Sequence, residues 1–417
     1  MPSPHRCLRA ADVESFVRTR CFAPAEHGRI GIELERVVVA AADPWSPVDH
    51  AAVSGAVAAL ADLPGGSRVT FEPGGQLEVS SPPRTGPAQA CAVTAADLAV
   101  VDPAILHLGL DLVGIGLHPR GEGRQVVENP RYRAMAAYFD AEGSCGRTMM
   151  CSTASLQVNV DIGDGRSQAE RWRLAHRLGP VLLAAFANSP LTGGVPNGQR
   201  SGRAGVWAGI DASRTAAAGD GGDDTRDPAR AWTRYALAAR VMLMRVGEDR
   251  MVPMTRPLPF ARWIDEGHEL GFPTVEDLEY HLGTLFPPVR PRGWLELRMV
   301  DSLPDPWWRV AVAVCAALFD DGEATERALR ATEATGGLWA EAARHGLAHP
   351  ALGSAARTCF AAALDALPAL GGDDLVPAVA AFSDAFVERG RCPGDDVLDA
   401  AAGAEERRPA AAVAEAW

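Results

Sequence analysis

The sequence predicts an α+β chain: a mainly antiparallel sheet with helices packed on one face, followed by an Ala-rich helical region. Three observations predict it. Four short segments alternate polar and apolar residues strictly, several longer ones repeat apolar residues at helical spacing, and roughly the last 100 residues carry the helical period alone.

The strands come first. In Ile32–Val38, Glu33 and Glu35 point one way while Ile32 and Leu34 point the other. Gln76, Glu78 and Ser80 share a face against Leu77 and Val79. Ser155, Gln157, Asn159 and Asp161 oppose Leu156, Val158 and Val160, and Trp294, Glu296 and Arg298 oppose Leu295, Leu297 and Met299. Successive side chains of a strand leave opposite faces of the pleat, so each segment has one wet and one dry side. Helices to cover the dry side are expected at Arg131–Glu142, Ser167–Ala187, Ala229–Arg245, Val275–Leu285 and Pro306–Asp320. Further helices are expected at Glu323–His345, Ala351–Leu367 and Leu375–Arg389, and Gly219–Pro228, acidic and Gly-rich, reads as a mobile surface loop. The chain is therefore divided into a core at 1–320, a helical region at 321–402 packed on it, and a tail at 403–417.

Composition narrows the chemistry. The 417 residues include 40 basic and 53 acidic ones, a net charge of −13. That balance disfavours a sequence-independent nucleic-acid binder. There is no Lys at all, which excludes a Walker A loop, Schiff-base catalysis and a lysyl intermediate. Eight Cys without a C-x-x-C pair read as reduced thiols. Met1–Glu14 is polar, and stretches such as Val310–Phe319 are too short to span a bilayer, so a cytoplasmic protein with no membrane partner is expected.

The polar strand faces are unusual. They carry Glu33, Glu35, Glu78, Glu296, Asp161, Gln157 and Asn159, with Arg298 as their one cation. Carboxylates crowded on one face raise each other's pKa, and oxygen-only ligands resolve the conflict by taking a hard divalent ion such as Mg²⁺ or Mn²⁺. For any single pair an exposed strand face is the better reading; the four strands carry the metal reading only together and only as neighbours. Phe71–Pro83 is more specific: Pro73–Gly74–Gly75 forms a turn that lets Glu72 and Glu78 approach one point. Arg203, Arg290 and Arg292 suit carboxylate or phosphate, although for each alone a surface salt bridge is the better reading. Other motifs fail. No H-E-x-x-H, dinucleotide fingerprint or G-x-S-x-G occurs.

In order along residues 30–310, Gly31–Glu35, Phe71–Ser80, Pro130–Tyr138, Met149–Asp161, Phe186–Gly198, Ser201–Trp207 and Trp294–Asp301 resemble the glutamate–cysteine ligases. The resemblance looks closest to the bacterial branch that serves ergothioneine biosynthesis. It implies a glutamine-synthetase-like catalytic core at 1–320 with a curved sheet as its floor. It implies magnesium ligands at Glu33, Glu35, Glu78 and Glu296, with Glu72 at the same cluster and near the substrate. Gln157 and Asn159 are implied to meet metal and nucleotide, Arg298 to face the transferring phosphoryl group, and Arg203 to hold the glutamate carboxylate.

The implied reaction uses ATP, L-glutamate and L-cysteine: the γ-carboxylate is phosphorylated, then the cysteine amine displaces phosphate to give γ-glutamylcysteine. No obligate protein partner is expected. Two alternatives stand beside it. One is another enzyme on this scaffold, either a γ-glutamyl ligase with a different amine or a guanidino phosphotransferase. The other is a non-enzymatic regulatory homologue that binds glutamate or nucleotide.

Overall fold

The computed structural model describes residues 8–118, 123–219, 226–247 and 250–406. Its central sheet begins with β1 (Arg29–Ala40), β2 (Arg68–Phe71), β3 (Leu77–Ser80), β4 (Arg84–Thr85), β5 (Leu110–Val113) and β6 (Ser155–Asp161). Two small hairpins stand outside it, β7–β8 (Leu191–Thr192 with Val195–Pro196) and β9–β10 (Leu243–Val246 with Arg250–Pro253). β11 (Val289–Pro291) and β12 (Trp294–Asp301) complete it. The order is β11-β12-β6-β1-β3-β2, with β4 and β5 also paired to β1, and every pair is antiparallel. All four strands expected from alternation are present, and they are neighbours.

The dry face explains why. Ile30, Ile32 and Leu34 of β1, Leu156, Val158 and Val160 of β6, and Leu295 and Leu297 of β12 are fully buried. Each such side chain contributes about 1.5–3 kcal/mol by leaving water. Helices Gln168–Ala185, Trp307–Asp320 and Pro87–Leu106 pack on this side. The carboxylate face is left for chemistry.

The C-terminal helices Gly322–Ala331, Trp339–His345, Pro350–Ala366 and Val376–Phe382 pack on Gln168–Ala185, on Trp307–Asp320 or on one another, and their buried side chains join the same hydrophobic cluster as the sheet. The expected helix Glu323–His345 is two helices, broken across Thr332–Leu338 where Gly336 and Gly337 interrupt the period. The expected helix Ala229–Arg245 stops at Ala238, and its end becomes β9. The last helix runs Pro393–Glu406, into the stretch expected as tail. Residues 407–417 and most of the acidic loop (220–225) lie outside the described residues.

One helix among the described residues, Pro87–Leu106, is long and apolar enough to cross a membrane. Gln89, Asp97 and Asp102 punctuate its apolar run. In the fold it is tied to its neighbours: Asp97 accepts hydrogen bonds from the Gly65 and Ser67 amides, the latter at 3.0 Å, and Asp102 receives Arg36 at 2.8 Å.

Candidate active site

Register brings the polar residues together. Glu35 of β1 stands opposite Glu78 of β3, Glu33 opposite Gln157 of β6, Asn159 opposite Glu296 of β12, and Glu296 opposite Arg290 of β11. Directly paired residues point to the same side of a sheet. The face therefore changes charge across its width, from carboxylates on β3 and β1, through amides on β6, to guanidiniums on β12 and β11.

The acidic side is a three-carboxylate cluster. Ligand oxygens of Glu35, Glu72 and Glu78 all lie within 4.8 Å of one another. Glu72 reaches it through the turn after β2, closed by Gly75 N–H to the Glu72 carbonyl at 2.8 Å; Gly75 sits at φ 87°, where a side chain would be strained. Glu35 is held by the Ser155 amide (2.7 Å) and Gln157 Nε2 (3.2 Å). Glu78 accepts from Thr70 (3.1 Å) and Ser80 (2.6 Å) hydroxyls. Glu33, alongside, accepts from Asn159 Nδ2 at 3.0 Å.

Glu72, Glu33 and Glu35 resist ionising. Burial, then the neighbouring Glu35 and Glu78 charges, push Glu72 up to about 8. Burial with Glu296 and Glu78 pushes Glu33 up to about 7, and burial with Glu78 raises Glu35. A hard divalent cation fits this donor set: it needs oxygens and offsets the repulsion. Of the five expected ligands, Glu35, Glu72 and Glu78 converge and Glu33 flanks them. Glu296 stands apart from the cluster.

Glu296 is fully buried among guanidiniums. Arg290 engages both its oxygens, the second at 3.1 Å, Arg298 lies at 3.1 Å and Arg292 at 3.7 Å. Burial alone would raise its pKa, but Arg290 and Arg298 outweigh it and hold the group at about 2. Arg298 also donates to Gln157, so one guanidinium joins β12 to β6.

Arg203 reaches the same region from helix Gly202–Ala208. Its Nη2 donates to the Arg298 carbonyl (2.9 Å), and its Nη1 lies 3.7 Å from buried Asp301. Asp301 also accepts from the Asn188 amide (2.8 Å), Ser189 (2.7 Å) and Ser201 (2.9 Å). Simple alternation would put Asp301 on the dry side. A bulge between Leu297 and Val300 moves it opposite Ser155, on the wet side. Met299, expected on the dry side of β12, is buried in the core cluster and also lines a cavity beside Arg298. Trp207 was not singled out from the sequence, yet both guanidiniums lie over its ring, Arg203 at 5.7 Å and Arg298 at 5.8 Å from the centroid. Its spacing of four from Arg203 on one helix was the available signal. Asp161 sits at the rim, bound to Arg29, away from the carboxylates.

A pH dependence follows. With Glu33 and Glu72 raised to about 7 and about 8, the cation-free protein holds protons there that an unfolded chain would release in the ordinary carboxylate range. The folded state then binds more protons, so cation-free stability falls as pH rises through that window up to about 8. Cation binding expels those protons, so Mg²⁺ affinity should climb over the same range. Calorimetric titration in buffers of different ionisation enthalpy reads the proton release directly. Affinity that is flat across this range would separate these carboxylates from the ion.

Comparison with known proteins agrees with the geometry. Residues 29–415 match the family described as glutamate-cysteine ligase family 2. Glutamate–cysteine ligase EgtA of Mycolicibacterium smegmatis is 43% identical over 376 residues, 89% of this chain and 87% of that protein. Its namesake from Mycobacterium tuberculosis strain H37Rv is 40% identical over 393 residues, 92% and 88% of the two chains. A chloroplastic glutamate–cysteine ligase of Medicago truncatula is 32% identical over 252 residues, 59% and 48% of the two. Since the matched span takes in every strand of the sheet and each carboxylate and guanidinium described above, this chain belongs to glutamate-cysteine ligase family 2.

Proposed function

We propose that the protein is an ATP-dependent glutamate–cysteine ligase, joining the γ-carboxylate of L-glutamate to the amine of L-cysteine through a γ-glutamyl phosphate, for ergothioneine biosynthesis. The single observation that carries the mechanism is the sheet face itself: three converging carboxylates at one side, a guanidinium network at the other, and amides between. Such a face accommodates an anionic triphosphate beside an anionic acceptor. The core at 1–320 is read as glutamine-synthetase-like, with the helical region 321–402 as its C-terminal flank.

The roles follow from placement. Glu35, Glu72 and Glu78, with Glu33 beside them, would hold Mg²⁺, for which Mn²⁺ could substitute. When bound, the ion neutralises phosphate charge and polarises the group in transfer. Gln157 and Asn159 orient Glu35 and Glu33 from the neighbouring strand and face the nucleotide phosphates. Arg298 stabilises charge on the moving phosphoryl group; with no Lys in the chain, only Arg and His side chains can supply such a charge. Arg203, clamped by Asp301 and the Arg298 carbonyl, holds the glutamate carboxylate near that guanidinium. Glu296 serves here as the counter-charge that fixes Arg290 and Arg298, and its role as an additional ion ligand requires those contacts to open.

The test is direct. Purified protein with ATP, Mg²⁺ and glutamate should yield γ-glutamylcysteine, identified by mass, only when cysteine is added. Turnover of another amine with cysteine inert would reassign the acceptor. ATP binding without any product would favour the regulatory alternative.

A further inference from the structure

The C-terminal helical region supplies a wall to the site. A cavity of about 500 Å³ opens beside Arg203 and Arg298, within the size range of small-molecule sites. Helix Trp339–His345 lines one side with Trp339, Ala340, Ala343 and Arg344. This wall is fixed. The Ala343 carbonyl accepts from the Arg200 (2.8 Å) and Ser201 (3.0 Å) amides, and Ser201 caps the helix that carries Arg203. Trp339 stands so close over Gly179 that a Cβ there would come within 2.2 Å of the indole.

The three cations of the lining differ in what they face. Arg203, held beside Asp301, and Arg298, held by Glu296, are already assigned to the glutamate carboxylate and to the moving phosphoryl group. Arg344 is exposed and, among the described residues, has no anionic partner. The second amino acid must bring its amine to the carboxyl activated at Arg298 while that amine stays unpaired, so its anchor has to be its own carboxylate. The adjoining surface is small and apolar, which suits an uncharged thiol side chain, since a neutral thiol packs as a small hydrophobe.

We infer that the acceptor amino acid binds in this cavity with its α-carboxylate on Arg344 and its side chain against Ala340 and Trp339. This deepens the ligase reading and rests on it.

The experiment compares cysteine with cysteamine, which keeps the amine and thiol but lacks the carboxylate, on full-length enzyme at saturating ATP, Mg²⁺ and glutamate. Arg344→Ala should raise the KM for cysteine about tenfold to a hundredfold, the worth of one charge-assisted contact. The KM for cysteamine, glutamate and ATP should not move, and Arg344→Lys should recover part of the loss. Ala340→Leu, at an exposed helical position, should weaken cysteine and cysteamine alike by filling the cavity. Arg344 is exposed and has no ion-pair partner among the described residues, so its variants should melt with the wild type.

An unchanged cysteine KM in Arg344→Ala, a parallel rise for cysteamine, or a rise in the glutamate KM instead would each overturn the assignment. If the wild type prefers another amino acid, the same comparison is made with that acid and its decarboxylated amine. A wild type that forms no γ-glutamyl product with any acceptor would overturn the ligase reading itself, a result visible before any variant is made.

Discussion

Glu72→Gln is expected to lose turnover by about a hundredfold or more, the scale of weakening an ion site directly, while the cation-free protein becomes more stable. Both halves have one cause. Among the described residues no donor binds the Glu72 carboxylate, unlike those of Glu35 and Glu78, and burial with those two neighbouring charges pushes it up to about 8. The amide keeps shape and removes a repelling charge, so nothing in the fold is lost. What disappears is one anionic ligand. Thermal melts with and without Mg²⁺ separate the effects: the variant should start higher and gain less from the ion. A variant that melts lower without Mg²⁺, or that keeps its activity, would show that Glu72 is a structural acid. Stability given up at a working site is a common pattern in enzymes.

The sheet was legible because period-2 alternation is a local signal and needs no partner. Ile32–Val38, Ser155–Asp161 and Trp294–Val300 each announced which side was wet, and Pro73–Gly74–Gly75 announced the hairpin that delivers Glu72. What escaped depended on register or on chain return. The ring of arginines around Glu296 exists only because β11 pairs with β12 so that Arg290 lies opposite it. Asp301 reached the wet side only through a bulge, which alternation alone cannot foresee. β9 was absorbed into a helix because Ala236–Val246 is apolar enough to satisfy either period. Arg344 and Trp339 entered the cavity wall because the helical region folds back across Gly179, a contact between residues far apart in the chain. Local pattern wrote the floor of the site; long-range packing wrote its walls.

Glu296→Gln should fail by a different route, and this one is visible in stability. As an ion ligand alone, Glu296 could take an amide with the fold intact. As the shared counter-ion of Arg290 and Arg298 it cannot. The amide offers one acceptor and no charge where Arg290 forms a two-point contact and Arg298 adds another. Both guanidiniums would then face each other with little water to separate them. Removing one partner from a buried ion network costs about 3–5 kcal/mol. The variant should therefore be inactive and markedly less stable to denaturant. The double variant Arg290→Met with Glu296→Gln should regain much of that stability without regaining activity, because it removes the stranded charge but not the disorder of Arg298. If Glu296→Gln instead keeps wild-type stability and loses only its response to Mg²⁺, the carboxylate contacts the ion in the working enzyme, and the arginines must release it when substrate binds.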